Sequence, residues 1–541
     1  MALPPRRKGS TRRKTGAFAD DITPPTAPTG FTAVESAGSV SLSWTASTDA
    51  VGVAGYEVLQ GPEMRVIKTV GAVTSTTVGL PPGSSAQLYL RAFDAAGNRS
   101  VPAQVAANIS AKNDGRAFIP IAAAGICIVG DSFDVRSMTN TTSPTNPQIS
   151  PLGIWNWTNA FLDQKLQFLN INATSGCGAI AAGSPVAGYE SPAGAYMTKL
   201  PAVVATYNPA TVAVRVSVND FATSNTLADL IAAYSACFQY CWDRGIRIIT
   251  NTCAPFLGYG TPPSAGQLSI WRDFNRWLMT TAPTRWPGII VLRQHWQNAL
   301  DAMARTGFEG TAVISNDVHP YAAPTFEIGW ASAQQLAPYL ASIASPLDKL
   351  SGIQDSINAM DRNPLNQGNA GGGTVTGTHP SGFTSSVSTG SASGAAKFRG
   401  DGNGLWYQID WTPGAGDGNV QMAQSSIALS ADFSPGKQAQ LLCELEIDAA
   451  SAGTVECVRA QVNYTGGVST TVIGMAQGGS GAGAQYDPSA RRGWRATFAT
   501  PIHTVPDGST NATITYYLFK SSTGTAAVSA RIGRHGLVPV G

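Results

Sequence analysis

Hydrophobic and polar residues follow three different patterns along the chain, and each pattern predicts a different kind of domain. From residue 22 to 112, short β-rich runs alternate with turns of Gly, Pro and Asp, which is typical of a small β-sandwich. From 120 to 350, strand-length apolar runs alternate with helical stretches, which predicts an α/β domain with a parallel sheet. From 361 to 541, short alternating runs return in a context rich in Gly, Ser and Thr, and they predict a second all-β unit, a jelly-roll-like sandwich.

The middle segment is the most regular of the three. Its five apolar runs predict the strands of one sheet: Gly125 to Val129, Gln167 to Ala173, Thr211 to Val218, Ile246 to Thr250 and Gly288 to Leu292. Apolar residues recur every three or four positions from Asn225 to Arg244 and from Gln267 to Thr280, which predicts amphipathic helices. The sequence therefore predicts a three-layer α/β domain of the flavodoxin-like kind between two β-sandwiches.

Charge adds one feature, a basic N-terminal arm. The 541 residues carry 35 Lys and Arg against 33 Asp and Glu, so the folded domains have no strong field and no nucleic-acid partner is expected for them. Residues 1–21 hold a basic block that predicts a disordered arm, or else a contact with a partner protein or nucleic acid. The arm lacks the apolar core of a Sec signal peptide, and no apolar run has the roughly 18 residues that a bilayer requires.

Cysteines and short motifs exclude several classes of protein. Seven cysteines spread thinly over the chain predict core thiols, and Cys443 with Cys457 is the one pair to test for a disulfide. There is no metal-binding motif, no phosphate loop and no Gly-x-Ser-x-Gly elbow. No cofactor and no metal are therefore expected.

Residues suited to acyl transfer follow the predicted strands. The first strand stops at Gly-Asp-Ser132, the second runs into Asn-Ala-Thr-Ser-Gly176, and the third runs into Ser-Val-Asn219-Asp. A later loop reads Ser-Asn-Asp-Val-His319-Pro. Carboxyl ends of parallel strands meet at one edge of a sheet, so these groups are expected to converge. Taken singly, each motif has a plainer explanation as a turn or a helix cap.

In this order the four motifs resemble the SGNH, or GDSL-type, hydrolase family over residues 120 to 350. The resemblance implies that Ser132 is the nucleophile and that His319 takes its proton, because a serine hydroxyl is a poor nucleophile on its own. It also implies an oxyanion hole made by the backbone N–H groups of Ser132 and Gly176 and by the side-chain amide of Asn219.

Two positions depart from the family pattern. The family usually has Asp three residues before the histidine, but here that position is Asn316, and Asp317 lies two before. Either Asp317 or Asn316 orients His319, with Asp317 favoured, or serine and histidine act nearly as a dyad. Ser217 stands where the family often has glycine, which predicts a narrower pocket. The remaining histidine of the segment, His295, is predicted to be structural.

The first sandwich resembles a fibronectin type III module over about 90 residues. Trp44 is the expected core tryptophan, Tyr56 lies on the next strand, and Leu-Pro-Pro-Gly from residue 80 precedes the penultimate strand. Pro25 lies at the start of the segment, where such modules usually have proline. The position of the usual corner tyrosine holds Ala86, which predicts a weaker hydrogen-bond lock at that corner.

Several aromatic residues are candidates for ligand contact, although core packing competes with that role. Trp155, Trp157 and Trp330 lie near predicted active-site loops and could line a sugar or acyl pocket. The C-terminal unit is similar in architecture to the carbohydrate-binding and tail-fibre sandwiches of polysaccharide-active proteins. Its candidate sugar-stacking residues are Trp406, Tyr407 and Trp411.

These features together predict a serine esterase that removes O-acyl groups, most simply acetyl, from a polysaccharide. The β-modules and the basic arm favour an extracellular or virion setting, such as a phage tail fibre or decoration protein, with a homo-oligomer (a trimer in a fibre) as the corresponding assembly. The alternatives are an adhesion protein whose hydrolase-like domain only binds, and a secreted bacterial lipase or carbohydrate esterase.

Overall fold

The chain divides into two compact units, residues 1–118 and 119–541. The structure is a computed structural model, and it describes the following residues: 21, 23–36, 39–60, 65–79, 85–108, 121, 125–138, 147–175, 177–180, 194–221, 224–253, 264–294, 314–315, 319–320, 322–350, 374–377, 379, 383–398, 405–416, 418–448, 454–474, 494–520 and 526–540.

The first unit is a sandwich of two antiparallel sheets. Its seven strands are β1 (Thr29–Ser36), β2 (Ser39–Thr45), β3 (Val53–Gln60), β4 (Arg65–Gly71), β5 (Ser75–Gly79), β6 (Ser85–Asp94) and β7 (Ala103–Asn108). One sheet has the order β1-β2-β5 and the other the order β4-β3-β6-β7. This three-plus-four arrangement is that of a fibronectin type III domain, as predicted.

Alternating residues of both sheets fill the core of this sandwich, with Trp44 and Tyr56 at its centre. The two rings are 5.1 Å apart between centroids, and both side chains are buried. The Tyr56 hydroxyl accepts a hydrogen bond of 2.8 Å from the backbone N–H of Ser47. That bond links β3 to the chain segment that follows β2.

The second unit begins with a five-stranded parallel sheet. Its strands are β8 (Gly125–Gly130), β9 (Gln167–Ala173), β10 (Thr211–Val214), β11 (Arg247–Asn251) and β12 (Ile290–Leu292). They lie in the order β9-β8-β10-β11-β12, and every pair is parallel. The first strand therefore lies inside the sheet, next to both the second and the third, which is the flavodoxin-like order. A short antiparallel pair, β13 (Ile314–Ser315) and β14 (His319–Pro320), lies apart from this sheet.

The helices of this domain occupy the connections between the strands. They are α1 (Ser132–Val135), α2 (Ile154–Phe161), α3 (Gly194–Tyr207), α4 (Leu227–Trp242), α5 (Ala265–Thr280), α6 (Ala282–Arg285) and α7 (Ala322–Leu336). Thr226 and Asp229 form a capping box that begins α4, and Ser264 and Gln267 form one that begins α5. Within the described ranges, no helix is both long enough and apolar enough to cross a bilayer.

The C-terminal part is a larger sandwich of two mostly antiparallel sheets. Its strands are β15 (Thr376–Gly377), β16 (Phe383–Val387), β17 (Ser391–Phe398), β18 (Leu405–Thr412), β19 (Gly418–Ala428), β20 (Gln438–Ile447), β21 (Val455–Thr465), β22 (Thr470–Gly474), β23 (Trp494–Ala499), β24 (His503–Thr504), β25 (Asn511–Lys520) and β26 (Val528–Pro539). One sheet has the order β15-β17-β18-β26-β20-β23, with β24 also on β20, and the other has the order β16-β19-β25-β21-β22.

Aromatic side chains join the α/β domain to this sandwich. Trp157 of α2 packs edge-on against Phe326 of α7 at 4.9 Å and against Phe498 of β23 at 5.9 Å. Next to this contact, Gln164 donates to the Thr497 carbonyl, and the Thr497 hydroxyl donates to Asp163. The two folds therefore share one hydrophobic core within the second unit.

Three sequence expectations are wrong at the level of packing. Trp155 and Trp157 are buried, so neither lines an open pocket. Trp406, Tyr407 and Trp411 are buried as well, which removes them as a sugar-stacking surface. The third is the candidate disulfide, because Cys443 is a free thiol. The prediction of core thiols is confirmed, since the described free cysteines are all buried: Cys127, Cys177, Cys237, Cys241, Cys253 and Cys443.

Candidate active site

The candidate nucleophile lies on a tight turn at the end of β8, an inner strand of the parallel sheet. The strand ends at Gly130, Asp131 caps the following helix, and Ser132 is its first residue. Oδ1 of Asp131 accepts a hydrogen bond of 2.9 Å from the backbone N–H of Phe133. A Cβ atom at Gly130 would lie 1.9 Å from Oδ2 of Asp134, so the turn requires glycine at this position.

A buried ion cluster lies directly beneath this turn. Nε of Arg215 donates to Oδ2 of Asp134 at 2.6 Å and lies 3.9 Å from Oδ1 of Asp131. The indole N–H of Trp155 donates to the other oxygen of Asp134 at 3.0 Å, and Arg215 also donates to Gln294. Buried charges need partners of this kind. The cluster ties the start of α1 to the segment that follows β10.

Burial governs how these two carboxyl groups titrate. Desolvation raises the pKa of Asp131 to about 7, against the opposing effect of Arg215, and the neighbouring Asp134 raises it further. Desolvation also raises the pKa of Asp134, although Arg215 and Trp155 stabilise its charged form. Asp131 is therefore placed to hold a proton near neutral pH in the folded protein.

The segment after β9 brings the second motif towards the same turn. The backbone N–H of Thr174 donates to the Gly130 carbonyl at 3.2 Å, and the N–H of Cys177 donates to Thr174 at 3.2 Å. Lys199 of α3 donates to the Thr174 hydroxyl at 2.6 Å. Gly176 lies outside the described residues.

The third motif lies on a short 3-10 helix, Val218–Asp220, that Ser217 caps. Asn219 is buried, and its side-chain Nδ2 donates to the Cys177 carbonyl at 2.8 Å. The amide is thus bound to the neighbouring loop, and the plainer expectation of an Asx turn does not account for its position. An amide nitrogen carries two hydrogens, so this bond sets the plane in which the second one lies.

Asp220 binds the loop that follows Cys177. Its carboxylate accepts hydrogen bonds from the backbone N–H groups of Ala179 and Ile180 and from the Tyr234 hydroxyl. A Cβ atom at Gly178 would lie 2.2 Å from Oδ1 of Asp220. The aspartate after Asn219 is therefore a structural residue that fixes the loop following Cys177.

The fourth motif is described only by its backbone. His319 lies on β14 and pairs with Ser315 on β13. Asn316 and Asp317 lie outside the described residues, as does His295. The choice between Asp317 and Asn316 as the orienting residue therefore stays a prediction.

The residues of the ion cluster were not predicted from the sequence. Arg215 lies within the otherwise apolar run Val-Ala-Val-Arg-Val of the third predicted strand. A charged residue inside a buried strand needs a partner, and that need was the available signal. The partner, Asp134, is distant in sequence and could not be identified without the fold. The expectation that Ser217 narrows the pocket is wrong, since its side chain is fully buried.

Among the described residues, one group of side chains could hold a metal ion, and it lies in the first unit. Single carboxylate oxygens of Asp21, Asp49 and Asp94 lie within 4.8 Å of one another. Hydrogen bonds from Asn98 and the backbone lower the pKa of Asp94 despite the opposing desolvation. The residues around Ser132 contain no such group within the described ranges.

No protein-family model matches the chain. Chitinase A1 of Niallia circulans is 33% identical over 144 residues, which are 26% of this chain and 20% of that protein. The chain spans a fifth or less of the length of the curated relatives it matches.

The solved structures that the chain is similar to include lipolytic proteins of the G-D-S-L family and fibronectin-like domains. One is a member of the lipolytic G-D-S-L family from Veillonella parvula, with 15% identity and a TM-score of 0.28 over 39% of this chain and 97% of that chain. Another is the fibronectin domain FN3tt, with 20% identity and a TM-score of 0.15 over 16% of this chain and 98% of that chain. The catalytic chemistry is argued below from the geometry of the described residues.

Proposed function

We propose that the chain is a serine ester hydrolase of the SGNH type, with Ser132 as its nucleophile. His319 acts as general base, and the N–H groups of Ser132 and Gly176 with the amide of Asn219 form the oxyanion hole. Asp317 orients the imidazole, with Asn316 as the alternative. No metal or cofactor enters this mechanism.

One observation supports this function above the others: the bond from Asn219 Nδ2 to the Cys177 carbonyl. This bond joins Asn219 of the third motif to the residue that follows Gly176 of the second. A second bond, from the N–H of Thr174 to the Gly130 carbonyl, joins the second motif to the first. Three strand ends therefore converge at one edge of the sheet, where ligands of open α/β sheets bind. Acyl transfer needs this combination of a hydroxyl with fixed N–H donors next to it.

Ser132 would attack the carbonyl carbon of an ester while His319 takes the hydroxyl proton. The resulting oxyanion would be stabilised by the N–H donors, and the protonated imidazole would then give its proton to the leaving alcohol. Water would attack the acyl-enzyme by the same route, releasing the acid and restoring Ser132. Each oxyanion donor is worth about 3 kcal/mol in such reactions.

For the substrate we propose an O-acylated polysaccharide, with acetyl as the acyl group. Two observations support this substrate. The α/β domain is accompanied by a fibronectin-like sandwich and a second large sandwich, and relatives of the chain are named as chitinases and exoglucanases. We propose an extracellular or virion-surface setting, in which the basic arm docks to a partner protein and the chain assembles as a homo-oligomer.

Hydrolysis of p-nitrophenyl acetate by the wild type and by Ser132→Ala tests the catalytic proposal. We expect Ser132→Ala and His319→Ala each to lose nearly all turnover while keeping the wild-type circular dichroism, because nucleophile and base act as a unit. Substantial turnover in either variant would overturn the mechanism.

Release of acetate from an acetylated polysaccharide, compared with a de-esterified control, tests the substrate. A folded wild type without any esterase activity would favour the binding-platform alternative.

A further inference from the structure

The mechanism above does not use Ser217, the first residue of the third motif, yet its hydroxyl also contacts the first motif and the residue that follows the second. Its hydroxyl lies 2.6 Å from Oδ2 of Asp131 and 2.8 Å from the Cys177 carbonyl. It also accepts a hydrogen bond of 3.2 Å from the backbone N–H of Asn219. The side chain is fully buried, so solvent does not compete for these bonds.

The hydrogen count of the hydroxyl is compatible with this arrangement. A serine hydroxyl has one hydrogen to donate and two sites at which it accepts. When Asp131 is ionised, the hydroxyl donates to the carboxylate. When Asp131 carries a proton, the carboxyl group donates to the hydroxyl, which then donates to the Cys177 carbonyl. Asp131 stays bound to Ser217 in both states.

Each residue bound to this hydroxyl adjoins or carries a proposed oxyanion donor. Asp131 directly precedes Ser132 in the chain, and Cys177 directly follows Gly176. Asn219 supplies its own amide and is held to the same Cys177 carbonyl by its Nδ2. A shift of any one of these segments would therefore change the distances between the three donors.

We propose that Ser217 is a positioning residue for the reaction, whose hydroxyl holds the Ser132 turn, the Cys177 segment and the Asn219 segment in register. This proposal rests on the proposed function, because it assigns Ser217 to the same site. Ser217 acts only through its neighbours and touches no reacting atom. Its contribution is to geometry, and misplacement of about 1 Å in such a site can lower the rate about a hundredfold.

The chain offers a matched control in Ser345. Its hydroxyl donates to the Asp163 carbonyl at 2.6 Å and accepts from the backbone N–H of Leu347, two residues on, at 3.1 Å. It too is buried and precedes a short 3-10 helix, Pro346–Leu350. Removal of this hydroxyl takes away the same kind of bonds without touching the strand-end motifs.

The experiment measures kcat and KM for p-nitrophenyl acetate in the wild type, Ser217→Ala and Ser345→Ala, corrected for the folded fraction. We expect Ser217→Ala to lower kcat by about ten- to a hundredfold and to change KM by less than about threefold. Ser345→Ala should keep wild-type values of both. A kcat for Ser217→Ala within about twofold of the Ser345→Ala value would overturn the proposal, as would a loss confined to KM.

A second measurement separates this proposal from the proposed function. Urea unfolding of the wild type, Ser217→Ala, Asp131→Ala and the double variant gives the coupling between the two side chains, and we expect it to reach about threefold or more in the folding equilibrium constant. A wild type that hydrolyses no ester overturns the proposed function and, with it, the catalytic role of Ser217, even where the coupling is present. Independent, additive effects would show that the Ser217 to Asp131 contact does not hold the turn, whatever the activity.

Discussion

Asn219 makes its side-chain bond to the Cys177 carbonyl across the gap between two strand ends. As a proposed oxyanion donor, it should contribute to the transition state far more than to folding. We expect Asn219→Ala to lower kcat about a hundredfold or more, with the circular dichroism unchanged. A purely structural Asn219 would give the opposite result: a lowered Tm and unchanged turnover per folded molecule.

Asp131 should make the stability of the second unit depend on pH. Burial raises its folded-state pKa to about 7, above the unfolded value of about 3.9. The folded chain therefore binds more protons than the unfolded chain between these values, and its free energy of unfolding falls as pH rises through this window. Asp131→Asn cannot titrate but still offers an oxygen to cap α1. The variant should therefore lack the part of the pH-dependent fall in unfolding free energy that Asp131 causes. Urea unfolding at intervals from pH 4 to 8 measures it; identical slopes for both proteins would contradict the assignment.

The orienting residue of His319 has its own test. If Asp317 holds the imidazole, Asp317→Asn should lower kcat steeply, because a neutral amide stabilises the imidazolium less and permits the wrong tautomer. Asn316→Ala should then lower kcat only slightly. The reverse order would identify Asn316, and small, equal effects would mean that Ser132 and His319 act as a dyad.

What the sequence could reveal about single residues depended on how local the signal was. Ser132 and Asn219 follow strand ends within a few residues, so the strand pattern alone was enough to place them. Arg215 and Asp134 pair across the fold, and only the sheet order, which puts β8 beside β10, brings them together.

At the scale of elements, the turn between β8 and α1 depends on the absence of a side chain at Gly130. A methyl group there would meet the Asp134 carboxylate at 1.9 Å, and both of its neighbours are buried. We expect Gly130→Ala to shift the turn, with a lowered Tm and a loss of at least tenfold in kcat. Gly266→Ala is the control, because that residue lies in α5, where an added Cβ would come no closer than 3.8 Å to Oγ of Ser264. Alanine there should raise helix stability by up to about 1 kcal/mol. Equal behaviour of the two variants would contradict the steric account.

The strands of the parallel sheet were predictable because they are buried on both faces and appear as continuous apolar runs. The role of the aromatic residues on β18 was not predictable from the sequence. Tyr407 and Trp411 point into the sandwich core, and Trp406 on the opposite face is covered by the Arg495 guanidinium, 5.5 Å from its ring centroid. Strand alternation predicts two faces but not what covers the outer one.

At the scale of the whole molecule, the α/β domain and the C-terminal sandwich should unfold together. Trp157, Phe326 and Phe498 form one aromatic contact between them, and burying such side chains contributes several kcal/mol. We expect the fragment 119–541 to keep the esterase activity and the main thermal transition. The fragment 119–350 should aggregate or lose cooperative unfolding, because the contact surface of Trp157 and Phe326 becomes exposed. A stable, active 119–350 fragment would show that the shared core is dispensable.

Covalent labelling of the folded chain with a fluorophosphonate, followed by peptide mass spectrometry, tests most directly whether Ser132 is an activated nucleophile. We expect one adduct on Ser132 in the wild type, loss of that adduct in Ser132→Ala and strongly slowed labelling in His319→Ala. Absence of labelling at Ser132 in a folded wild type, or equal labelling of unrelated serines, would contradict it.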